Sequence, residues 1–373
     1  MICNLIKFNY LIKNTILDSF SLFLFKKTNF KKNDRILIFR TGELGDNLCA
    51  IPAINLIKHN FKNAKIDMLV TLNSKTDVSF EALLQDGLID GYIDYTNIKK
   101  KSLLRTLKSN NYDLIIHLPQ NMSSLYQQLR DMIFFRLCNI PHGFGWKVNS
   151  DLFLKKYQDR CMDSKNEVDR LLALLTSNGL KKYDKEYPLN IKKNDIDLVH
   201  KKLKINNLQN ANKNIAFVIG AKIYPKEWNV KNFELVADYF VKKGYKILLI
   251  GGREDKEKSQ YLLSKVSENI YDFCGEFTPI QSILILKSSL LVLTNDTGPM
   301  HMSACVNTPM VALFSSWSYD KKWYPDSDCS IVIRKELECS ICYNRSCPDN
   351  ICMQSITTSE VIEAIEKIIN EQN

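Results

Sequence analysis

The chain alternates short apolar runs with amphipathic stretches over most of its length. Arg35-Ile36-Leu37-Ile38-Phe39-Arg40 is an apolar run with the length of a buried strand. A helix fits Leu48 to Asn60, and further strands are expected at 65–71, 91–95 and 112–118. Helices are expected near 79–85, 102–109 and 166–177. A polar stretch, 191–213, follows, and then the alternation restarts. Strands at 214–220, 245–251, 290–294 and 309–314 alternate with helices at 230–243, 254–267, 280–288 and 299–306. An amphipathic helix at 357–370 closes the chain. Short buried strands, each followed by a helix, predict a parallel sheet covered on both faces. The expected fold class is therefore α/β, with two doubly wound halves and a ligand cleft at the carboxyl ends of their strands.

This reading divides the chain into a basic amphipathic segment (1–32), a first Rossmann-like domain (33–190), a linker (191–213), a second Rossmann-like domain (214–356) and a closing helix (357–373). Its 373 residues, 45% hydrophobic and 25% charged, can bury a sizeable core and exclude collagen, coiled-coil and wholly disordered classes. The net charge of +10 favours acidic partners: phosphates, anionic lipid or nucleic acid. No nucleic-acid recognition module is visible, so no nucleic-acid partner is expected. Residues 5–25 combine many aliphatic and aromatic side chains with Lys7 and Lys13, and Lys26, Lys27, Lys31 and Lys32 follow. No window there is apolar enough over about 20 residues to span a bilayer. Two readings stay open: a helix lying on an anionic leaflet, or one packed on the protein's own core. No cleavable signal peptide is visible. A cytoplasmic, reducing location without structural disulfides is expected, with peripheral contact on the inner face of the membrane.

Chemistry concentrates where strands end. Gly42-Glu43-Leu44-Gly45-Asp46 follows the first strand. Its glycines allow a tight turn, and Asp46 is either a helix cap or a general base for an acceptor hydroxyl. Gly220-Ala221-Lys222-Ile223-Tyr224-Pro225-Lys226-Glu227-Trp228 sets two lysines at a strand end, as charges suited to a diphosphate or as solvated surface groups. Trp228 is expected to pack where this loop turns into the next helix. Gly251-Gly252-Arg253-Glu254 presents an acid that caps a turn or accepts ribose hydroxyls. Thr294-Asn295-Asp296-Thr297-Gly298-Pro299-Met300-His301 joins a strand to a helix whose first N–H groups form an anion cradle. Asp296 there suits sugar hydroxyls, and His301 is either a core residue or a donor near phosphates. Cys339, Cys342, Cys347 and Cys352 are spaced either as a thiophilic metal site or as packed thiols.

Together these segments resemble glycosyltransferase family 9, the ADP-heptose–lipopolysaccharide heptosyltransferases and their relatives. Arg40-Thr-Gly-Glu-Leu-Gly-Asp46 with Pro52 is similar to the family's R-x-G-x-x-G-D…P opening. Gly220-Ala221…Lys226-Glu227-Trp228 is similar to its G-A…K-x-W segment. Asn295 to His301, with Ala304 and Thr308-Pro309, is similar to N-D-T-G-x-x-H…A…T-P, and the cysteine-rich tail resembles the family's C-terminus. The resemblance covers roughly residues 33–370. It implies a GT-B fold, two Rossmann-like domains facing across a cleft, with the last helix crossing back to the first domain. It implies inverting, metal-independent transfer of a sugar, most readily heptose from an ADP-linked donor, to an anionic lipid-linked glycan acceptor at the inner membrane surface. No cofactor beyond the nucleotide-sugar co-substrate is implied. By the same resemblance Asp46 and Lys226 are catalytic. Gly220, Lys222, Trp228, Glu254, Asp296, Thr297, Gly298 and His301 bind the donor, and Arg40, Gly42 and Gly45 shape the acceptor-side turn. Pro299, Glu43 and Asn47 depart from the family's usual residues, which leaves another nucleotide sugar, or a catalytically silent binding or membrane-adaptor protein, as alternatives.

Overall fold

The computed structural model describes residues 2–27, 35–71, 80–96, 98–120, 122–148, 165–266 and 268–372. The chain divides into two compact units, Met1–Asn190 and Ile191–Asn373. Lys31 and Lys32 lie outside the described residues.

The first unit opens with a helix, α1 (Ile2–Leu24). It continues β1 (Arg35–Phe39), α2 (Leu44–Leu48), α3 (Ile51–Asn60), β2 (Lys65–Val70), β3 (Gly91–Asp94), α4 (Lys100–Ser109), β4 (Leu114–His117), α5 (Leu125–Leu137), β5 (His142–Phe144) and α6 (Glu167–Ser177). Its five strands are parallel, in the order β3-β2-β1-β4-β5. The strand order reverses between β1 and β4, the switch point where ligands of doubly wound sheets bind. The stretch expected as one helix from Leu48 to Asn60 is broken at Cys49-Ala50. Pro52 falls in the first turn of α3, where no N–H is needed. The expected helix near 79–85 is a single 3₁₀ turn, Phe80–Leu83.

The second unit runs α7 (Lys193–Ile205), β6 (Asn214–Val218), α8 (Val230–Lys242), β7 (Lys246–Ile250), α9 (Lys256–Lys265), β8 (Ile270–Asp272), α10 (Pro279–Lys287), β9 (Leu291–Asn295), α11 (Gly298–Cys305), β10 (Met310–Phe314), β11 (Ser330–Arg334), α12 (Ile351–Gln354) and α13 (Thr358–Gln372). Its six-stranded parallel sheet has the order β11-β10-β9-β6-β7-β8, reversing between β6 and β9. The two sheets thus repeat one topology.

Two expectations about domain edges change. The stretch 191–213 is not a free linker. Val199 and Leu203 of α7, one turn apart, are buried, and Asp195 accepts a hydrogen bond from Gln281 of α10 at 2.9 Å. The closing helix, expected to pack back on the first domain, buries its apolar face in the second unit. Val361, Ile365 and Ile368 of α13 lie in one core with Trp228, Phe233 and Phe240. Their 3–4 residue spacing gives α13 one apolar stripe, and α8 supplies the surface that covers it.

Contrary to the expectation of free thiols throughout, Cys3 on α1 is disulfide-bonded. Cys49, Cys138 and Cys274 are free and buried.

Candidate active site

In the first unit the chain leaves β1 at Phe39 and turns through Gly42 into α2. Gly42 has φ +146°, and a Cβ there would stand 2.5 Å from the Cβ of Asp46. Glycine is therefore required for the Asp46 side chain to fold back over the turn. Asp46 Oδ2 accepts the N–H of Glu43 at 2.9 Å. Gly45 precedes it within the first turn of α2.

Beneath this turn lies Arg40, fully buried. Its Nη1 donates to the carbonyls of Leu118 (3.3 Å) and Pro119 (3.2 Å), just beyond β4. Its Nη2 donates to the Asp46 carbonyl at 2.9 Å and to Glu167 Oε1 at 3.3 Å. Arg40 thus clamps the ends of β1 and β4 together at the switch point. Glu167, also fully buried, takes two further bonds from Arg170, at 2.8 and 2.7 Å. Burial pushes the Asp46 carboxyl above its ordinary value. The Arg40 guanidinium and the Glu43 N–H oppose that rise, and the carboxylates of Glu167 and Glu43 add to it. A carboxylate whose pKa is raised by burial, set in the first turn of the helix that follows β1, suits proton abstraction.

In the second unit Asn295 plays the part of Arg40. Fully buried at the end of β9, it accepts the N–H of Trp228 at 3.1 Å. It donates to the carbonyls of Ile219 (3.3 Å) and Gly220 (3.2 Å) at the end of β6. The two strand-end loops are thereby fixed to each other. Across them Lys226 Nζ pairs with Asp296 Oδ2 at 2.7 Å, and the same ammonium lies 5.4 Å from the centre of the Trp317 ring. Thr297 is the N-cap of α11, and Gly298 and Pro299 open its first turn. Pro299 has no N–H and the Met300 N–H donates to the Thr297 carbonyl at 3.1 Å, so the donor this helix start sets beside the Lys–Asp pair is the Gly298 N–H. His301 is buried one turn on, its ring edge-on to Trp323 at 6.5 Å.

Gly220 is needed for a different reason: a Cβ there would stand 1.9 Å from Asp255 Oδ1. The buried Asp255 accepts the N–H of Gly252 at 3.0 Å and faces Lys258 at 3.6 Å, and Lys258 also pairs with Glu227 at 2.7 Å. Burial raises the Asp255 carboxyl above its ordinary value, against the pull of the Gly252 N–H and Lys258.

The second unit therefore brings Gly220, Lys226, Asp296, Thr297, Gly298 and His301 to the ends of neighbouring strands β6 and β9. Lys222 and Glu254 are exposed on the rims of their loops. Trp228 packs where its loop turns into the next helix, as expected, and this corrects the donor-binding role that the resemblance implied. Its indole is fully buried, donates to the Ile356 carbonyl at 3.0 Å and meets Phe233 edge-on, so it cannot touch a donor. It anchors the lysine loop from below.

The cysteine-rich tail has a supporting role. Among the described residues no group of three or more His, Cys, Asp or Glu side chains could hold a metal ion. Cys352 is buried 3.3 Å from Ser315, and Cys339 is exposed. Cys342 and Cys347 are half-buried. The segment instead straps the site. Ile341 and Tyr343 donate N–H bonds to the carbonyls of Ser316 (2.7 Å) and Trp317 (3.1 Å). The fully buried Asn350, at φ +44°, donates to the carbonyls of Tyr224 (3.0 Å) and Glu227 (2.7 Å), on either side of Lys226.

Sequence reasoning missed Glu167, Arg170, Asn295 as a clamp, Asp255 and Asn350. Only Asp255, beside a glycine pair at a strand end, carried a local signal. The others act through contacts far apart in the chain.

Two successive doubly wound parallel sheets, one in each unit, are the fold of the GT-B class of sugar-transfer enzyme. Residues 100–352 match the profile of glycosyltransferase family 9 (heptosyltransferase), and the chain belongs to that family. It is 24% identical over 310 residues to lipopolysaccharide heptosyltransferase 2 of Salmonella typhimurium, covering 77% of this chain and 84% of that protein. The fold is similar to the crystal structure of a family 9 glycosyltransferase from Veillonella parvula, with TM-score 0.73 and 20% identity over 93% of this chain and 99% of that one. It is also similar to the E. coli ADP-heptose lps heptosyltransferase II, with TM-score 0.64 and 19% identity over 91% and 99% of the two chains.

Proposed function

We propose that this glycosyltransferase moves heptose from ADP-heptose to a lipopolysaccharide core acceptor, with inversion and without a metal ion, at the inner face of the cytoplasmic membrane. The donor and acceptor classes are those named for the relatives above. The observation that carries the mechanism is the Asp46 carboxylate, folded over Gly42 and raised in pKa by burial. In this reading Asp46 takes the proton of the acceptor hydroxyl as its oxygen bonds to the anomeric carbon. The bond from that carbon to the β-phosphate oxygen breaks on the opposite face, and ADP leaves with the electron pair. The transition state is oxocarbenium-like. Lys226 and the Gly298 N–H at the start of α11 stabilise charge gathering on the leaving diphosphate, the task a divalent cation performs elsewhere. Asp296 holds Lys226 and sugar hydroxyls, Glu254 and Lys222 reach the nucleotide from the rims, and His301 donates to phosphate. No resident cofactor enters the scheme.

The test is ADP release from ADP-heptose with a heptose-deficient lipopolysaccharide acceptor, in EDTA, with the product anomer read by NMR. Turnover with inversion is expected. Activity with a different nucleotide sugar but none with ADP-heptose overturns the donor, and loss of turnover in EDTA overturns metal independence.

A further inference from the structure

We propose that the outward face of α1 docks in the interface of an anionic membrane leaflet. The helix is 23 residues long, about 35 Å at 1.5 Å per residue. One side is accounted for by the protein: Ile6, Tyr10 and Leu17 are buried in the core of the first unit with Met132 and Phe135 of α5. The opposite side is also apolar. Leu5 (72% exposed), Phe8 (58%), Ile12 (43%), Ile16 (43%) and Phe23 (82%) are open to solvent. Their spacing of three, four, four and seven residues aligns them along one stripe. On the neighbouring α5, Ile133 and Leu137 are exposed too, beside exposed Arg130 and Arg136. Isolated exposed aliphatics are ordinary, but a continuous stripe of this kind marks an interaction surface.

Charge identifies the occupant. Lys7, Lys26 and Lys27 are exposed at the two ends of the stripe, and Asp18 is the one acidic residue among described positions 2–27. Pairing the stripe with a second copy of itself would set these lysines against each other. Anionic headgroups neutralise them while the apolar side chains enter the acyl boundary. No helix among the described residues is long and apolar enough to cross a membrane, so the helix lies in the interface rather than through it. This gives the membrane association of the preceding section a definite surface. The test below reads binding rather than turnover, so it stands or falls independently of the donor chemistry.

The experiment is co-sedimentation of the full chain with vesicles of phosphatidylcholine alone or mixed with phosphatidylglycerol. Binding to the anionic vesicles, weakened by salt, is expected. Lys26→Gln with Lys27→Gln should weaken it about 30-fold, each lysine near an anionic surface being worth about 5-fold. Phe8→Ser with Ile12→Ser and Phe23→Ser should abolish binding at unchanged melting temperature. Phe23→Ser alone, the most exposed position, serves if the triple variant fails to fold. Three results overturn the proposal: no binding to either vesicle, undiminished binding of the stripe variants, or a dimer in gel filtration that the stripe variants convert to monomer.

Discussion

Lys226 Nζ lies 2.7 Å from Asp296 Oδ2, and this contact joins the loop after β6 to the turn after β9. Asp296 is buried and Lys226 largely so, with Trp317 under the ammonium. The carboxylate, two residues before α11 begins, thus aims the lysine. Lys226→Met should lower kcat about 100- to 1000-fold, the scale of losing one preorganised charge at a leaving group. Asp296→Asn should weaken ADP binding and leave Lys226 unaimed, so the double variant should fall no further than the worse single one. Titration calorimetry with ADP and steady-state kinetics on the three variants check this. Additive losses would show that the two residues do not work as a unit.

The raised pKa of Asp46 has opposite consequences for activity and for stability. The folded protein holds a proton on this carboxyl more tightly than the unfolded chain does, because burial disfavours the charge. Ionisation therefore costs folding stability as pH rises from the unfolded value through the raised one. That cost is absent below both values. Asp46→Asn should lower kcat about 100- to 10,000-fold, the range of general-base catalysis. It should leave the protein at least as stable as wild type near neutral pH, with the difference closing as pH falls through the carboxylate range. The acid limb of kcat/KM should lie above an ordinary aspartate. Melting curves against pH and a pH–rate profile check both signs, and a less stable Asn variant at neutral pH contradicts the argument.

Glu167 is a positioning residue. It neutralises the fully buried guanidinium of Arg40 and the half-buried one of Arg170, and Arg40 holds the Asp46 carbonyl and the ends of β1 and β4. Glu167→Gln keeps the shape and removes the charge, at a cost of about 3 kcal/mol for breaking a buried ion pair. Its carboxylate also raises the Asp46 pKa, so the acid limb of kcat/KM should move down in the variant. Donor KM should hold, because the donor loops belong to the other unit, while kcat falls. Glu167→Asp should restore part of kcat. A loss of stability with an unmoved acid limb would leave Glu167 a purely structural role.

The strands that carry the site were legible because each is a continuous buried run: β1, β6 and β9 are buried along nearly their whole length. The glycines and acids at their ends were legible for the same reason, since a strand end fixes where a loop begins. The elements missed were of another kind. β5 and β8 are three residues each, too short for a period to register. Every residue of β11, Ser330–Arg334, is half-buried at the sheet edge. The packing of Trp228 was legible from its place before a helix, but the donor contact implied by the resemblance fails, because its indole N–H is taken by the Ile356 carbonyl in the core. Asn350 could not be found from sequence at all. Its partners Tyr224 and Glu227 lie more than a hundred residues earlier, and nothing local marks an asparagine that will sit at φ +44°. Packing surfaces follow from periodicity, whereas a long-range polar clamp depends on coordinates that periodicity does not contain.

Gly42 gives the sharpest test of how the carboxylate is held. At φ +146° a side chain is strained whatever the space, and here the space is also taken. A new Cβ meets the Asp46 Cβ at 2.5 Å and its Cγ at 3.0 Å. The first of these atoms is fixed to the backbone of α2, so rotating the Asp46 side chain cannot relieve the contact. The turn and α2 must separate, which breaks the Glu43 N–H bond to Asp46 Oδ2. Gly42→Ala should therefore destabilise the protein by about 1–3 kcal/mol, the usual cost of forcing a residue into a disallowed backbone region. It should lower kcat nearly as far as Asp46→Asn does, with ADP affinity unchanged. Thermal melts, kinetics and ADP titration on the one variant separate these effects. An alanine variant with wild-type turnover would mean that the place of the carboxylate over this turn has no part in the reaction.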